Sequence, residues 1–132
     1  MSCTIGGVRT TNWETTEWGS NTNCGSARLD VEFHSMADFR ALWFYIPFSV
    51  GTGTYPVYTY AAPYNSCGAN YITAKYELDS TYFPTSGTIT ITSLDVAQRK
   101  MEASFNLNVE DSRGERIQFA NGSVKLNTWR DK

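Results

Sequence analysis

The chain has 132 residues, the size of one ordinary domain with a core of its own. Its formal net charge of −2 and the absence of basic or acidic runs give no electrostatic basis for binding nucleic acid or an anionic membrane surface, and we expect neither as a partner. Aromatic residues make up 14% of the chain and, with its many threonines, favour strands over helices. We therefore expect one all-β domain over residues 1–132.

The N-terminal half contains several short strand patterns separated by polar loops. "CTIGGVRTT" predicts a strand interrupted by two glycines, and "ARLDVEFH" alternates apolar with charged residues, as a half-buried strand does. "SMADFR" predicts one helical turn or a long hairpin loop. "ALWFYIPF" is apolar on both faces, which is typical of a strand that is covered on both sides. "YPVYTY" and "ANYITAKYEL" predict two further strands.

The C-terminal half has the most regular alternation. In "GTITITSL", Ile89 and Ile91 fall on one face and threonines on the other, and "KMEASFNLNV" repeats this period of two. In "RIQFANGSVKLNTW" the Asn121-Gly122 pair predicts a turn or a bulge. About eight antiparallel strands joined by short turns predict a single antiparallel β-sandwich or a lipocalin-like barrel.

Two of the three cysteines lie in loops rich in Gly, Asn and Ser. Cys24 is in "NTNCGS" and Cys67 in "YNSCGAN", so the two are candidates for a disulfide, and two free loop thiols are the alternative. A bridge closing so long a loop stabilises by roughly 3 to 4 kcal/mol in the chain-entropy model. If it forms, the compartment is oxidising.

The remaining cysteine, Cys3, follows a serine at the N-terminus. Ser2-Cys3 looks like what remains when the signal segment of a bacterial lipoprotein is removed, so Cys3 is a candidate for lipidation. The alternative is a structural thiol at the start of the first strand.

The order of several turn and strand motifs resembles that of a known family. "GTY" at 53–55 is followed by "GTITITSLD", by "MEASFNLNV" and by "IQFANGSVKL". This order resembles a family of small Bacteroidota β-sandwich lipoproteins of unknown function, which carry G-T-x-T-I-T-x-x-D, then a strand of the S-G-T-F-S-F kind and a closing I-x-x-T-N-G-x-F. Here Glu102-Ala103 stands where Ser-Gly is usual.

The resemblance implies a location and a class of protein rather than an activity. It implies an all-β domain held outside the cytoplasm, in the periplasm or at the cell surface, and tethered to the outer membrane by a lipid. It brings no catalytic residues that could be carried over to this chain.

The sharpest polar constellation is Asp30, Glu32 and His34, which alternate along one predicted strand. At the rise of a strand the outer two lie about 13 Å apart, so one ion cannot bind all three. An exposed strand face, with Arg28 helping to balance the charge, is the simpler expectation. His34 is the only histidine, and no nucleophile elbow, phosphate loop or zinc-spaced cysteine set occurs. We expect no enzyme activity, no cofactor and no metal.

Aromatic residues supply the best functional candidates. If the even-numbered residues of "ALWFYIPF" face the core, Trp43 and Tyr45 point the other way. Clustered Tyr and Trp side chains form recognition patches for protein or for sugar rings, although they also pack into minor cores or barrel interiors. We predict a patch that binds a protein partner at the cell envelope, with a glycan or a small apolar ligand, held in a barrel cavity or an aromatic groove, as the alternative. Its candidate residues are Trp43, Tyr45, Tyr58, Tyr60 and Tyr71.

Overall fold

The computed structural model describes residues 2–5, 8–10, 13–19, 28–35, 40–61, 70–127 and 130–131. Apart from a 3-10 turn at Phe48–Val50, all of the regular structure in these ranges is β-strand, as predicted. The strands are β1 (Ser2–Ile5), β2 (Val8–Thr10), β3 (Trp13–Gly19), β4 (Arg28–Ser35), β5 (Ala41–Pro47), β6 (Gly53–Thr59), β7 (Ile72–Glu77), β8 (Thr81–Asp95), β9 (Lys100–Glu110), β10 (Arg116–Leu126) and β11 (Arg130–Asp131).

The described residues form eleven strands where the sequence predicts about eight. One predicted N-terminal strand is two, because β1 and β2 pair antiparallel with Ile5 opposite Val8. β3 falls in "NWETTEWGS", whose polar residues do not alternate with enough apolar ones to indicate a strand. β11 is only two residues long and is too short to carry a period.

The strands form one continuous pairing order, β11-β3-β4-β5-β7-β6-β8-β9-β10-β1-β2. All of these neighbours are antiparallel except β6 with β7 and β11 with β3. The sheet curls so that the inner faces of its two halves share one core. Phe44 of β5 meets Phe105 of β9 edge to face at 5.0 Å between ring centroids, and Tyr76 of β7 meets Phe119 of β10 at 4.9 Å.

The two halves are joined where β6 changes partner. Its first residues, Gly53–Pro56, pair with β8, and Val57–Thr59 pair with β7. The change follows Pro56, whose ring nitrogen has no hydrogen to donate to a ladder. β6 therefore leaves the C-terminal half of the sheet and carries Tyr58 onto the N-terminal half.

The predicted break at Asn121-Gly122 is confirmed as a bulge in β10. The register to β9 shifts between Phe119 and Gly122, and Asn121 has a φ of 53°, a left-handed conformation that asparagine tolerates. A Cβ on Gly122 would run into the ring of Phe105. The bulge thus lets β10 pass directly over a large core side chain.

Candidate functional site

The candidate site is built on β5, whose residues alternate between the core and the outer face. Leu42, Phe44 and Ile46 are buried in the core, which is the condition under which Trp43 and Tyr45 point away from it. Trp43 and Tyr45 lie on the opposite face, where the register places Trp43 between Glu32 and Lys75 and Tyr45 between Asp30 and Thr73. Thr73 in turn pairs with Tyr58 of β6.

Tyr60, just beyond β6, covers Tyr45. The two rings are stacked, with centroids 4.0 Å apart and planes 20° from parallel. The Arg28 guanidinium lies 5.0 Å from the Tyr45 ring centroid and 5.9 Å from that of Tyr60. Tyr45 is consequently only 8% exposed, and this burial, together with Tyr60 and the charge of Asp30, raises the pKa of its phenol. The sequence predicted that Tyr45 points away from the core, but it did not predict this cover.

A second cation extends the same arrangement to Trp43. The Lys75 ammonium lies 4.6 Å from the Trp43 ring centroid and 5.9 Å from that of Tyr60. Such cation–π contacts contribute roughly 0.5 to 1 kcal/mol each at exposed sites. Tyr60 thus lies between Arg28 and Lys75 and connects the outer faces of β4, β5 and β7.

The outermost pair is Tyr58 with Tyr71. Their rings meet edge to face at 5.1 Å, and Tyr71 is 43% exposed. The structure therefore brings the five sequence-predicted residues to one side of the sheet. We call this set, Trp43, Tyr45, Tyr58, Tyr60 and Tyr71, the aromatic face.

Paired charges border the aromatic face. Arg28 Nε donates to Asp30 Oδ1 at 2.7 Å, and both side chains are almost fully buried. Burial alone would lower the pKa of Arg28, but the hydrogen bond and charge of Asp30 raise it. His34 lies 2.9 Å from Glu32, and Lys75 lies 3.6 Å from Glu77.

These pairs settle how Asp30, Glu32 and His34 are arranged. Although the three share one strand face, they are divided between two different contacts, one with Arg28 and one between Glu32 and His34. Arg28 balances the charge of Asp30, as the sequence predicted, but the predicted exposed strand face is wrong at this pair because both side chains are nearly buried. Within the described ranges, no group of three or more His, Cys, Asp or Glu side chains is arranged to hold a metal ion.

Of the three cysteines, the structure describes Cys3. Cys24 and Cys67 lie outside the described residues. Cys3 lies in β1 with no exposed surface, and burial raises the pKa of its thiol to about 11 although Arg40 opposes the shift. This position favours a structural thiol, since a lipid on the sulfur would require β1 to leave the core. Lipidation of Cys3 stays a prediction.

A polar cluster that the sequence did not predict joins two turns at one end of the sheet. Arg113, in the β9–β10 turn, bonds Asp79 at 2.8 Å, Asp111 at 2.7 Å and Glu115 at 3.0 Å. The contact with Asp79 links this turn to the one between β7 and β8. We call Asp79, Ser80, Asp111, Arg113 and Glu115 the Arg113 cluster.

Asp111 is the buried centre of the Arg113 cluster. Its carboxylate accepts hydrogen bonds from Ser80 Oγ at 2.8 Å and from the backbone nitrogens of Arg113 and Glu115 at 3.0 and 2.9 Å. Burial on its own would raise the pKa of this carboxyl, but the bonds from Ser80, Arg113 and the backbone lower it to about 2. "DSRGE" indicates a turn, yet nothing local in it points to residues 79 and 80.

Comparison with known proteins gives no relative: no family model, no curated protein and no solved structure matches the chain. None of the helical structure in the described ranges is long and apolar enough to cross a membrane.

Proposed function

We propose that the chain is a non-catalytic recognition module that binds a protein partner through the aromatic face. The observation that carries this proposal is the layer of aromatic rings on the outer side of β5, β6 and β7, built apart from the core and ending in the 43% exposed ring of Tyr71. Tyr and Trp are the residues most enriched at the energetic centres of protein interfaces.

The surroundings of the aromatic face favour a protein over a small ligand. Its border carries the ion pairs of Arg28, His34 and Lys75, so an aromatic centre is surrounded by a charged rim, as in typical interfaces. Stacking and cation–π contacts hold Tyr45, Tyr60 and Trp43 in place before binding, which lowers the entropy lost on association.

Where the inner faces of the two halves of the sheet meet, the core formed by the described residues is filled. The space where Phe33, Phe44, Ile89, Met101 and Val124 meet has no room for a water molecule. This filling argues against the alternative of a small apolar ligand held in a barrel cavity at that place.

We further propose that the module acts outside the cytoplasm, in the periplasm or at the cell surface. The support is the lipoprotein-like order of motifs and the candidate disulfide between Cys24 and Cys67. Anchoring at the outer membrane would follow from lipidation of Cys3.

Site-specific photocrosslinking tests the proposal. A benzophenone amino acid is placed at Tyr71 on the aromatic face or, as the matched control, at Val96, an equally exposed apolar residue in the β8–β9 turn. Each protein is irradiated in an envelope extract of the source organism, and adducts are identified by mass spectrometry. We expect one protein to crosslink from position 71, not from 96, and to be displaced by excess unmodified chain.

Two results would overturn the proposal. One is the same set of adducts from both positions, which would indicate non-specific contact. The other is a saccharide or lipid adduct at position 71 without a protein, which would assign the aromatic face to the alternative ligand class.

A further inference from the structure

The C-terminal half of the sheet carries a polar groove on its outer surface, the side that faces away from the core. It has a volume of about 450 Å³, within the range of small-ligand sites, and lies across β8, β9 and β10. Two rows of cross-strand partners run across it. In the first row Glu110 and Arg116 line the groove, and Phe83 lies next to Glu110 outside the lining; in the second, Ser86, Asn108 and Gln118 all line it.

A bulge in β8 shapes this groove. The register to β9 shifts between Pro84 and Ser86, and Thr85 Oγ1 donates to the backbone oxygen of Asn108 at 3.3 Å. Asn108 Nδ2 donates to Ser86 Oγ at 2.9 Å, so the amide is held in one orientation. The side chains of Ser86 and Asn108 are therefore held in place before any ligand arrives.

The charges in the groove compensate one another. Its two charged lining residues, Glu110 and Arg116, lie opposite each other in register with Arg116 Nε 3.5 Å from Glu110 Oε2. A phosphate would need an excess of positive charge, and a divalent cation an excess of carboxylate oxygens. A paired carboxylate and guanidinium beside two amides instead offer donors and acceptors to a neutral ligand with many hydroxyl groups.

One aromatic ring stands beside these polar groups. Phe83 is 40% exposed and is the direct cross-strand neighbour of Glu110, so their Cβ atoms lie about 4.5 to 5.5 Å apart. An exposed ring next to hydrogen-bonding groups can cover the C–H face of a sugar while the groups bind its hydroxyls.

We propose that this groove binds a neutral saccharide, with Phe83 as the stacking ring and Asn108, Gln118 and the Glu110–Arg116 pair as hydrogen-bonding partners. The groove lies on different strands from the aromatic face. The saccharide proposal therefore does not depend on whether the aromatic face binds a protein partner. The groove would give the module a second, glycan-directed contact.

Amide chemical-shift mapping tests the inference. The ¹⁵N-labelled chain is titrated with maltose, cellobiose, lactose and N,N′-diacetylchitobiose, and separately with inorganic phosphate and with calcium ions. We expect at least one disaccharide to shift amides of residues 83, 85, 86, 108–110 and 116–118 saturably. Phe83→Ala should weaken that binding about 5-fold and Gln118→Ala about 3- to 10-fold.

Glu102→Gln is the matched control, because Glu102 lies on the same outer face but in a separate depression near Lys125. It should leave the affinity unchanged. The proposal is overturned if no disaccharide shifts these amides, if shifts fall only on the aromatic face, or if phosphate or calcium reproduces them. Unchanged affinity in both groove variants overturns it as well, and using two variants guards against a folding defect in one.

Discussion

Tyr60 stacks on Tyr45 at 4.0 Å between ring centroids although the two residues belong to different parts of the sheet. Tyr45 lies in β5, and Tyr60 follows the strand that crosses from β8 to β7. β7 lies between the two, so Tyr60 reaches across one strand to cover its partner. The stack therefore connects the chain just after β6, which changes partner at Pro56, to the outer face of β5. The aromatic face consequently depends on where β6 changes partner.

Tyr60→Ala should destabilise the fold and change the ionisation of Tyr45. The free energy of unfolding should fall by about 1 to 3 kcal/mol, because the stack and two cation–π contacts are lost. The raised pKa of Tyr45 should fall toward the ordinary tyrosine value, because its cover is removed. Urea denaturation and an ultraviolet pH titration measure these two effects.

Tyr60→Phe is the control for the stack. It keeps the ring and removes only the hydroxyl, so most of the stability and most of the burial of Tyr45 should remain. If Tyr60→Ala leaves both quantities unchanged, the stack does not cover Tyr45 in solution.

Tyr71→Ser should separate binding from folding on the aromatic face. Tyr71 is 43% exposed and its ring meets Tyr58 edge to face, so its loss should change the free energy of unfolding by less than about 1 kcal/mol. Affinity for the crosslinked partner should fall at least about 10-fold if Tyr71 is a centre of the interface.

The matched control for this variant is Leu78→Ser, because Leu78 is a 45% exposed apolar residue in the β7–β8 turn. It should leave binding unchanged. Equal losses in the two variants would contradict a specific role for Tyr71. Tyr45→Ala is unsuited to this test because Tyr45 is nearly buried and its removal would also weaken the fold.

The regular strands could be predicted from the sequence because each has a local pattern of apolar and polar residues that identifies it. β9 alternates one residue in and one out along its whole length, and β8 does so at Thr88–Ile91, between its two shifts of register. In both strands the signal is the period of two, which a strand imposes on any sequence that buries one face. β5 lacks this signal because "ALWFYIPF" is apolar on both faces, so the side of β5 that meets the core was taken as a condition.

Long-range partners could not be predicted in this way. Nothing near Tyr60 indicates that it will cover Tyr45, and nothing in "DSRGE" indicates Asp79, because both contacts are fixed by which strands become neighbours. The split of β6 between β8 and β7 is the clearest case, since one predicted strand serves two ladders. The candidate residues were therefore found by type and face, and their mutual geometry required the structure.

Gly122→Ala should be destabilising although alanine is a small residue. The added methyl group would meet the ring of Phe105, which is 2% exposed and packs edge to face against Phe44. Overpacking of this kind costs about 1 to 3 kcal/mol. Thermal unfolding measures it, with the neighbouring exposed Ser123→Ala as the control that should be nearly neutral; equal stability of the two would show that β10 shifts at the bulge.

Cys3 should be protected from alkylation in the folded chain. Its thiol is buried and its pKa is raised to about 11, so at neutral pH it is protonated and inaccessible to iodoacetamide. We expect peptide mapping to find Cys3 modified only after denaturation. Rapid labelling of the native chain would show that β1 opens, which is the condition that lipidation in the folded state requires. The same map, made without reductant, reports whether Cys24 and Cys67 are bridged.

Protonation of Asp111 should make the free energy of unfolding depend on pH in the acidic range. Its pKa is lowered to about 2 from an ordinary value of 3.8, so its carboxylate favours the folded state above about pH 4. This contribution should be lost progressively as the pH falls from about 4 through 2, because the folded chain must then take up a proton against the bonds from Ser80 and Arg113.

Asp111→Asn should lower the thermal midpoint at pH 7, and the difference from the unmodified chain should shrink toward pH 2. Glu102→Gln, which removes an exposed pair with Lys125 at 3.5 Å, should leave the midpoint unchanged at both pH values. A difference for Asp111→Asn that persists undiminished at pH 2 would show that packing of the turn, rather than the charge of Asp111, stabilises this end of the sheet.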